Sequence, residues 1–336
     1  MTMRRKVSRQ AMAAKGFLRR LTEAVAPRGV RAAPHAGRTA AEVWDEQAGT
    51  WSIGGVRHWT ELRQVHDEIN QRVSGDPAVD PYMHLLRTRL AGRLPVARAL
   101  TIGCGSGELE RGLCQHGFSA RHDAFDIAPK AVEKAIAAAS EAGLDHLRYA
   151  VADGNALDLE PGSFDVVFGV HAIHHVEKLE HAFGEISRAL TPDGLFFMNE
   201  FVGPTRFQWT DRQLEAVNGL LRALPEEFRR SAADGRLKTE VPRPTVAEMI
   251  AADPSEAVRS GEILSVAASY FEILEVRPYG GTVLQLLLDD IAGNFARPGT
   301  GGKELLAAIC DLEWALVQSG HLASDFAVVV ARAKRA

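Results

Sequence analysis

The chain has 336 residues, 46% of them hydrophobic and 24% charged, and a net charge of −4, an ordinary composition for a globular protein. The charge is uneven: residues 1–38 hold ten Lys/Arg against the single acid Glu23, which leaves the rest near −13. So acidic a body excludes DNA as an expected partner, because phosphate contacts need clustered cations, and no run reaches the roughly 18 apolar residues of a membrane span. The basic stretch, 1–40, reads as a poorly ordered arm. Phe17, Leu18 and Leu21 could line a short helix there, but Arg19 and Arg20 interrupt any signal-peptide core. Its composition also suits an organellar transit peptide, or docking on RNA, anionic lipid or an acidic partner.

Residues 41–95 read as a helical N-terminal cover. Trp44, Trp51, Gly54, Gly55 and Trp59 mark an aromatic, Gly-containing start. Leu62, Val65, Ile69 and Val73 then form a helical stripe that stops at Gly75-Asp76-Pro77. A second helix is expected over 81–90. From 96 to 203 strands alternate with helices. The strands fall at 99–102, 120–126, 147–151, 164–170 and 195–199. Helices run to about 114, over 129–141 and over 179–190, the last closed by the turn Thr191-Pro192-Asp193-Gly194. The fourth strand is apolar after Asp165 and is therefore expected at the centre. This alternation predicts an α/β fold with a doubly wound, mostly parallel sheet covered on both faces.

The rhythm breaks at 204–260, read as an insertion over the substrate. It holds one predicted helix, 211–224, and a stretch punctuated by Pro225, Pro242, Pro244 and Pro254. It resumes at 261–336 with a helix over 261–269 and strands at 271–276 and 326–330. Between those strands lies a helical insertion, 282–320, of two predicted helices (283–295 and 303–319) that would serve the same lid or a dimer contact, so a homo-oligomer stays open. Cys104, Cys114 and Cys310 are widely spaced. They form neither a disulfide framework nor a metal cluster, suit a reducing cytoplasm, and give no reason to expect a metal.

Four features in order carry chemistry. Gly103-Cys104-Gly105-Ser106-Gly107 follows the first strand, where glycines let the backbone turn tightly and approach a ligand, and the next helix offers its free N–H groups. Glu108 stands where a dinucleotide fingerprint needs a third glycine or small residue, which argues against a pyrophosphate and a nucleotide-dependent oxidoreductase. Asp126 ends the second strand, 19 residues past Gly107, where a carboxylate can accept from both ribose hydroxyls. Asp153, in Val151-Ala152-Asp153-Gly154-Asn155, is an acceptor for an adenine amino group. Strand four leads into His171-Ala172-Ile173-His174-His175-Val176, at the carboxyl edge where such sheets place their chemistry.

At these residues the sequence resembles the class I S-adenosylmethionine-dependent methyltransferases of bacterial small-molecule type, over about 99–202 and more weakly at the last two strands. The resemblance implies a Rossmann-like, seven-stranded sheet with an antiparallel last strand, and S-adenosyl-L-methionine as cofactor. It also implies that Gly103, Gly105 and Gly107 pass beneath the methionyl part, with Asp126 at the ribose. Asp153 would take the adenine amino group with Asn155 beside the adenine, and Cys104, Ile127, Gly154 and His171 would also belong to the cofactor site. Thr101 stands where the family often carries an acid that helps hold the cofactor's amino group, so that contact is not carried over.

Methyl transfer asks chiefly for alignment and exclusion of water. An oxygen acceptor also needs a base, for which His175, Glu200 and His174 are the candidates at the ends of strands four and five. Arg206, Phe207, Gln208 and Trp209 would belong to the lid, and Trp44, Trp51, His58 and Trp59 to the N-terminal cover. The expected function is methylation of a small-molecule acceptor, a secondary metabolite or a sugar, at oxygen, nitrogen or carbon. Methylation of RNA or protein, and a cofactor-binding subunit without catalysis, are the alternatives.

Overall fold

In the computed structural model the described residues are 39–47, 56 and 58–334. The expectations for the basic arm, Trp51, Gly54 and Gly55 lie outside them. The alternating apolar segments assemble into one sheet. It comprises β1 (Val96–Ile102), β2 (Ser119–Asp126), β3 (Leu147–Val151), β4 (Phe164–Val170), β5 (Leu190–Phe201), β6 (Phe271–Gly280) and β7 (Phe326–Ala333). Their order is 3-2-1-4-5-7-6, seven strands among the described residues, as the expected fold class requires. β1 to β5 pair in parallel, and β7 runs antiparallel to both β5 and β6. The order reverses between β1 and β4, and such switch points open a crevice at the carboxyl ends of the strands.

The inner strands are apolar on both faces because both faces are covered. On β7, Phe326, Val328 and Val330 enter one core while Ala327, Val329 and Ala331 enter the other. The first core receives Val65, Ile69 and Val73 from helix Arg63–Ser74, Leu85 from Pro81–Thr88, Val217 and Leu221 from Asp211–Ala223, and Leu306 and Ile309 from Gly302–Gln318. The second receives Phe183 and Ile186 from helix Leu179–Ala189 and Ile263 and Ala267 from Ile263–Tyr270. Arg72 donates to Glu313 at 3.0 Å and to the carbonyl of Tyr279 at 2.9 Å. Glu313 in turn accepts from the backbone N–H groups of Val283 and Leu284. Removing one partner of such a buried pair costs about 3–5 kcal/mol.

Three local expectations are revised. The predicted helix over 283–295 is two short ones, Leu284–Leu288 and Ala292–Phe295. They are split where Asp290 takes a left-handed φ of 62°, which the helical spacing of apolar residues conceals. The turn at Thr191–Gly194 lies within β5: Phe164 pairs with Leu190, and Val166 next pairs with Leu195, so the turn bulges from a longer strand. Helix Val246–Ala252, unexpected in its Pro-rich surroundings, starts at a capping box in which Thr245 and Glu248 satisfy each other's backbone N–H groups.

Candidate active site

The glycine turn emerges from β1 at the switch point. Gly103, Gly105 and Gly107 all have left-handed backbone, with φ of 68°, 51° and 78°. A Cβ on Gly103 would meet that of Ala172 at 2.3 Å, and one on Gly107 would meet the Tyr149 hydroxyl at 2.2 Å. No other residue fits either place. Helix Glu108–Gln115 begins directly after. Behind the turn, Glu110 on this helix is fully buried with neither carboxylate oxygen partnered, and burial pushes its pKa up to about 7.

A cavity of about 630 Å³ opens at this edge, a size suited to small ligands. Every residue expected at the cofactor lines it except Gly107, which is turned toward Tyr149. Asp126 grips the turn from the tip of β2, its Oδ2 accepting from Gly105 N–H and its Oδ1 from Ala128 N–H, both at 2.9 Å. Burial raises its pKa. Asp153 accepts from Asn155 through Oδ1. Asn155 itself accepts from the N–H groups of Glu177 and Lys178, tying the β3 and β4 loops together.

The opposite wall is built from distant segments. Glu200, at the end of β5, is completely buried and does not line the cavity. It accepts from the N–H groups of Ala172 and Ile173, both at 2.7 Å, and meets His174 Nδ1 at 2.6 Å. It reaches the cavity through His174. Burial acts to lower the pKa of His174, but Glu200 and Glu256 overcome it and the net shift is upward. His174 Nε2 lies 3.6 Å from Oε1 of Glu256. His175, also in the lining, meets Ser255 Oγ through Nδ1 at 3.0 Å, and burial pushes its pKa well down. His171, with a left-handed φ of 50°, lies beside them, its pKa lowered to about 4 by burial.

Ser255 and Glu256 come from the loop that follows Pro254. Arg206 holds that loop, donating to the carbonyls of Pro254 and Glu256 at 2.8 and 3.0 Å. Arg206, Phe207 and Ala257 have left-handed backbone with φ of 55°, 52° and 48°. Such conformations cost of order 1–3 kcal/mol each and cluster at functional sites. Among the expected cover and lid residues, Trp44, His58 and Phe207 line the cavity. Trp59 and Trp209 are core residues, and Gln208 donates to the carbonyls of Arg206 and Pro244. Thr60, Phe201, Gln285 and Phe326 also line the cavity.

A doubly wound sheet with a glycine turn after β1 and acids at the tips of β2 and β3 defines a nucleoside-binding α/β protein. Residues 100–198 match the family described as methyltransferase domain. Among curated relatives, 24-methylenesterol C-methyltransferase 2 of Oryza sativa subsp. japonica is 28% identical over 222 residues, covering 62% of this chain and 60% of its own length. 27-O-demethylrifamycin SV methyltransferase of Amycolatopsis mediterranei is 32% identical over 35% of this chain and 44% of its own. Malonyl-[acyl-carrier protein] O-methyltransferase of Methylovorus sp. is 32% identical over 41% of this chain and 51% of its own. The chain thus spans about half the length of these relatives. Residues 100–198 thus form a methyltransferase domain of the class I S-adenosylmethionine-dependent type, whose cofactor is S-adenosyl-L-methionine. The left-handed glycines and the Asp126 and Asp153 carboxylates in the cavity wall fit that group. Among the described residues no helix is long and apolar enough to cross a membrane.

Proposed function

We propose that the chain methylates an oxygen of a small, largely apolar acceptor. The observation that carries this reading is the His174–Glu200 pair in the wall of the cavity on which the glycine turn opens. Bound there, S-adenosylmethionine supplies an electrophilic methyl group on a sulfonium sulfur. Gly103 and Gly105 let its methionyl part pass close to the backbone. Asp126 takes the ribose hydroxyls, and Asp153, with Oδ1 committed to Asn155, has Oδ2 left for the adenine amino group. Trp44, Phe201, Phe207 and Phe326 exclude water and enclose the acceptor's apolar body.

An oxygen acceptor must lose its proton as the methyl arrives, and the His174 cluster draws it off. Glu200 holds the Nδ1 side of the ring and steadies positive charge there, which leaves Nε2 for the acceptor. Glu200 is thus a positioning residue, and His175 braces the ring at a centroid distance of 4.2 Å. The relatives' names cover both O- and C-methylation of small molecules, which supports the acceptor class. The three cysteines, buried and unbridged, fit a reducing cytoplasm as the place of action.

Single-turnover kinetics on a panel of hydroxylated acceptors tests the reading. His174→Ala is expected to lower the rate by about 10²–10⁴-fold while calorimetry finds cofactor affinity unchanged. A near-normal rate in that variant removes the oxygen assignment and favours an amine acceptor, which needs only to arrive neutral.

A further inference from the structure

His174, His175 and Glu256 each offer one ligand atom, and the three atoms lie within 4.8 Å of one another. Two imidazoles and a carboxylate at that spacing need only a slight contraction to reach bond lengths of about 2.0–2.2 Å to one cation. Behind each histidine stands an acid. Glu200 takes Nδ1 of His174 directly, and Ser255 meets Nδ1 of His175 while donating to Asp253 at 2.7 Å. Carboxylates so placed orient ligand imidazoles and strengthen the nitrogen left over. On His175 that nitrogen, Nε2, is buried without a partner, and so is Oδ2 of Asp253.

Charge points the same way. The carboxylates of Glu200, Asp253 and Glu256 all lie within 4.0 Å of one of the two imidazoles. Among the described residues, Arg206 is a side-chain cation held against their loop, and it spends its hydrogen bonds on backbone carbonyls. Acids withdrawn from water in excess of their cations are costly unless another positive charge joins them.

We propose that His174, His175 and Glu256 bind one divalent first-row transition cation whose open positions take an oxygen of the acceptor. Two histidines and one carboxylate suit such an ion better than magnesium or calcium, which prefer oxygen-rich shells. The inference rests on the reading of this cluster as the acceptor-activating site, and it deepens it. With the ion in place, His174 acts as a ligand, and the ion lowers the pKa of the coordinated hydroxyl so that its proton passes to water before the oxygen takes the methyl from the sulfonium sulfur. Without the ion, the imidazole would do the work alone.

The full chain, stripped with a chelator and titrated with cobalt(II) chloride, provides the test by visible absorption and calorimetry. Saturable binding of one cobalt per chain is expected, weakened by about 10–100-fold or more in Glu256→Gln and in His175→Asn. S-adenosylmethionine affinity, measured on both variants, should remain and shows that they are folded. Absence of saturable binding overturns the proposal, and so does binding that both variants retain, which would mark ions held elsewhere. The cobalt titration is made without S-adenosylmethionine, and calorimetry with S-adenosylmethionine alone examines the methyltransferase reading. Either can therefore fail by itself.

Discussion

The two walls of the cavity are made by different means. The wall proposed to hold the cofactor is local: turns at the ends of β1, β2 and β3 supply Gly103, Gly105, Asp126 and Asp153 within about fifty consecutive residues, and backbone N–H groups do much of the holding. The acceptor wall is assembled from Trp44, His58, His174, Phe207, Glu256, Gln285 and Phe326, which span most of the chain. It is held by buried side-chain acids. A wall of the first kind can serve many acceptors unchanged, whereas one of the second kind changes with any insertion that reaches it.

The largest expected effect tests whether the acceptor wall hangs on one buried acid. Glu200→Ala strips Ala172, Ile173 and His174 of their common acceptor and should lower stability by about 3–5 kcal/mol in chemical denaturation. A loss under 1 kcal/mol would mean that the wall is held in some other way.

Behind the cofactor wall, Glu110 sharpens the contrast through pH. Its folded pKa of about 7 lies above the ordinary carboxyl value. The folded state therefore binds the proton more tightly, and stability falls as pH rises from about 4.5 to 7 and then levels. Glu110→Gln should be nearly neutral at pH 4.5 and more stable than the parent by about 2–3 kcal/mol at pH 8. Parallel stability curves for the two proteins across that range would contradict the buried, unpaired carboxyl.

Asp126→Ala should weaken S-adenosylmethionine binding by about 1.5–3 kcal/mol in titration calorimetry, since it removes the grip on Gly105 and the carboxylate proposed to accept from the ribose. Unchanged affinity would leave the cofactor wall without its assigned anchor. The smallest effect belongs to Trp44, whose ring meets His175 edge-on at a centroid distance of 4.9 Å. Trp44→Ala should raise the acceptor KM about fivefold, equivalent to about 1 kcal/mol, with kcat less affected, a split that steady-state kinetics reads directly.

The contrast also explains what the sequence made legible. Glycines at forced backbone angles and acids at strand tips are local demands, so the cofactor wall can be read from a short stretch. The parallel α/β sheet follows from the alternation of strands with helices, its antiparallel last strand only from the family resemblance, and strands β3 and β4 end where the apolar runs end. Glu200 could be placed at the right edge, but its burial beneath Ala172 and Ile173 depends on how a loop folds over it. Glu256 and Ser255 had no local signal, because their partners His174 and His175 lie about eighty residues earlier. The helix at Val246–Ala252 did carry one, the Thr245 and Glu248 capping box, which the surrounding prolines outweighed.

The place of β7 has a consequence for synthesis on the ribosome. β7 lies between β5 and β6 and pairs with both. It is also the last of the seven strands to be made. Until Phe326–Ala333 leaves the exit tunnel, β5 presents a bare row of backbone donors and acceptors flanked by Phe196, Phe197 and Met198. Open, apolar strand edges are templates for aggregation. The nascent protein must therefore hold that slot vacant through more than a hundred residues of further translation. Its yield in the cell should depend on chaperones that shield an unfinished sheet.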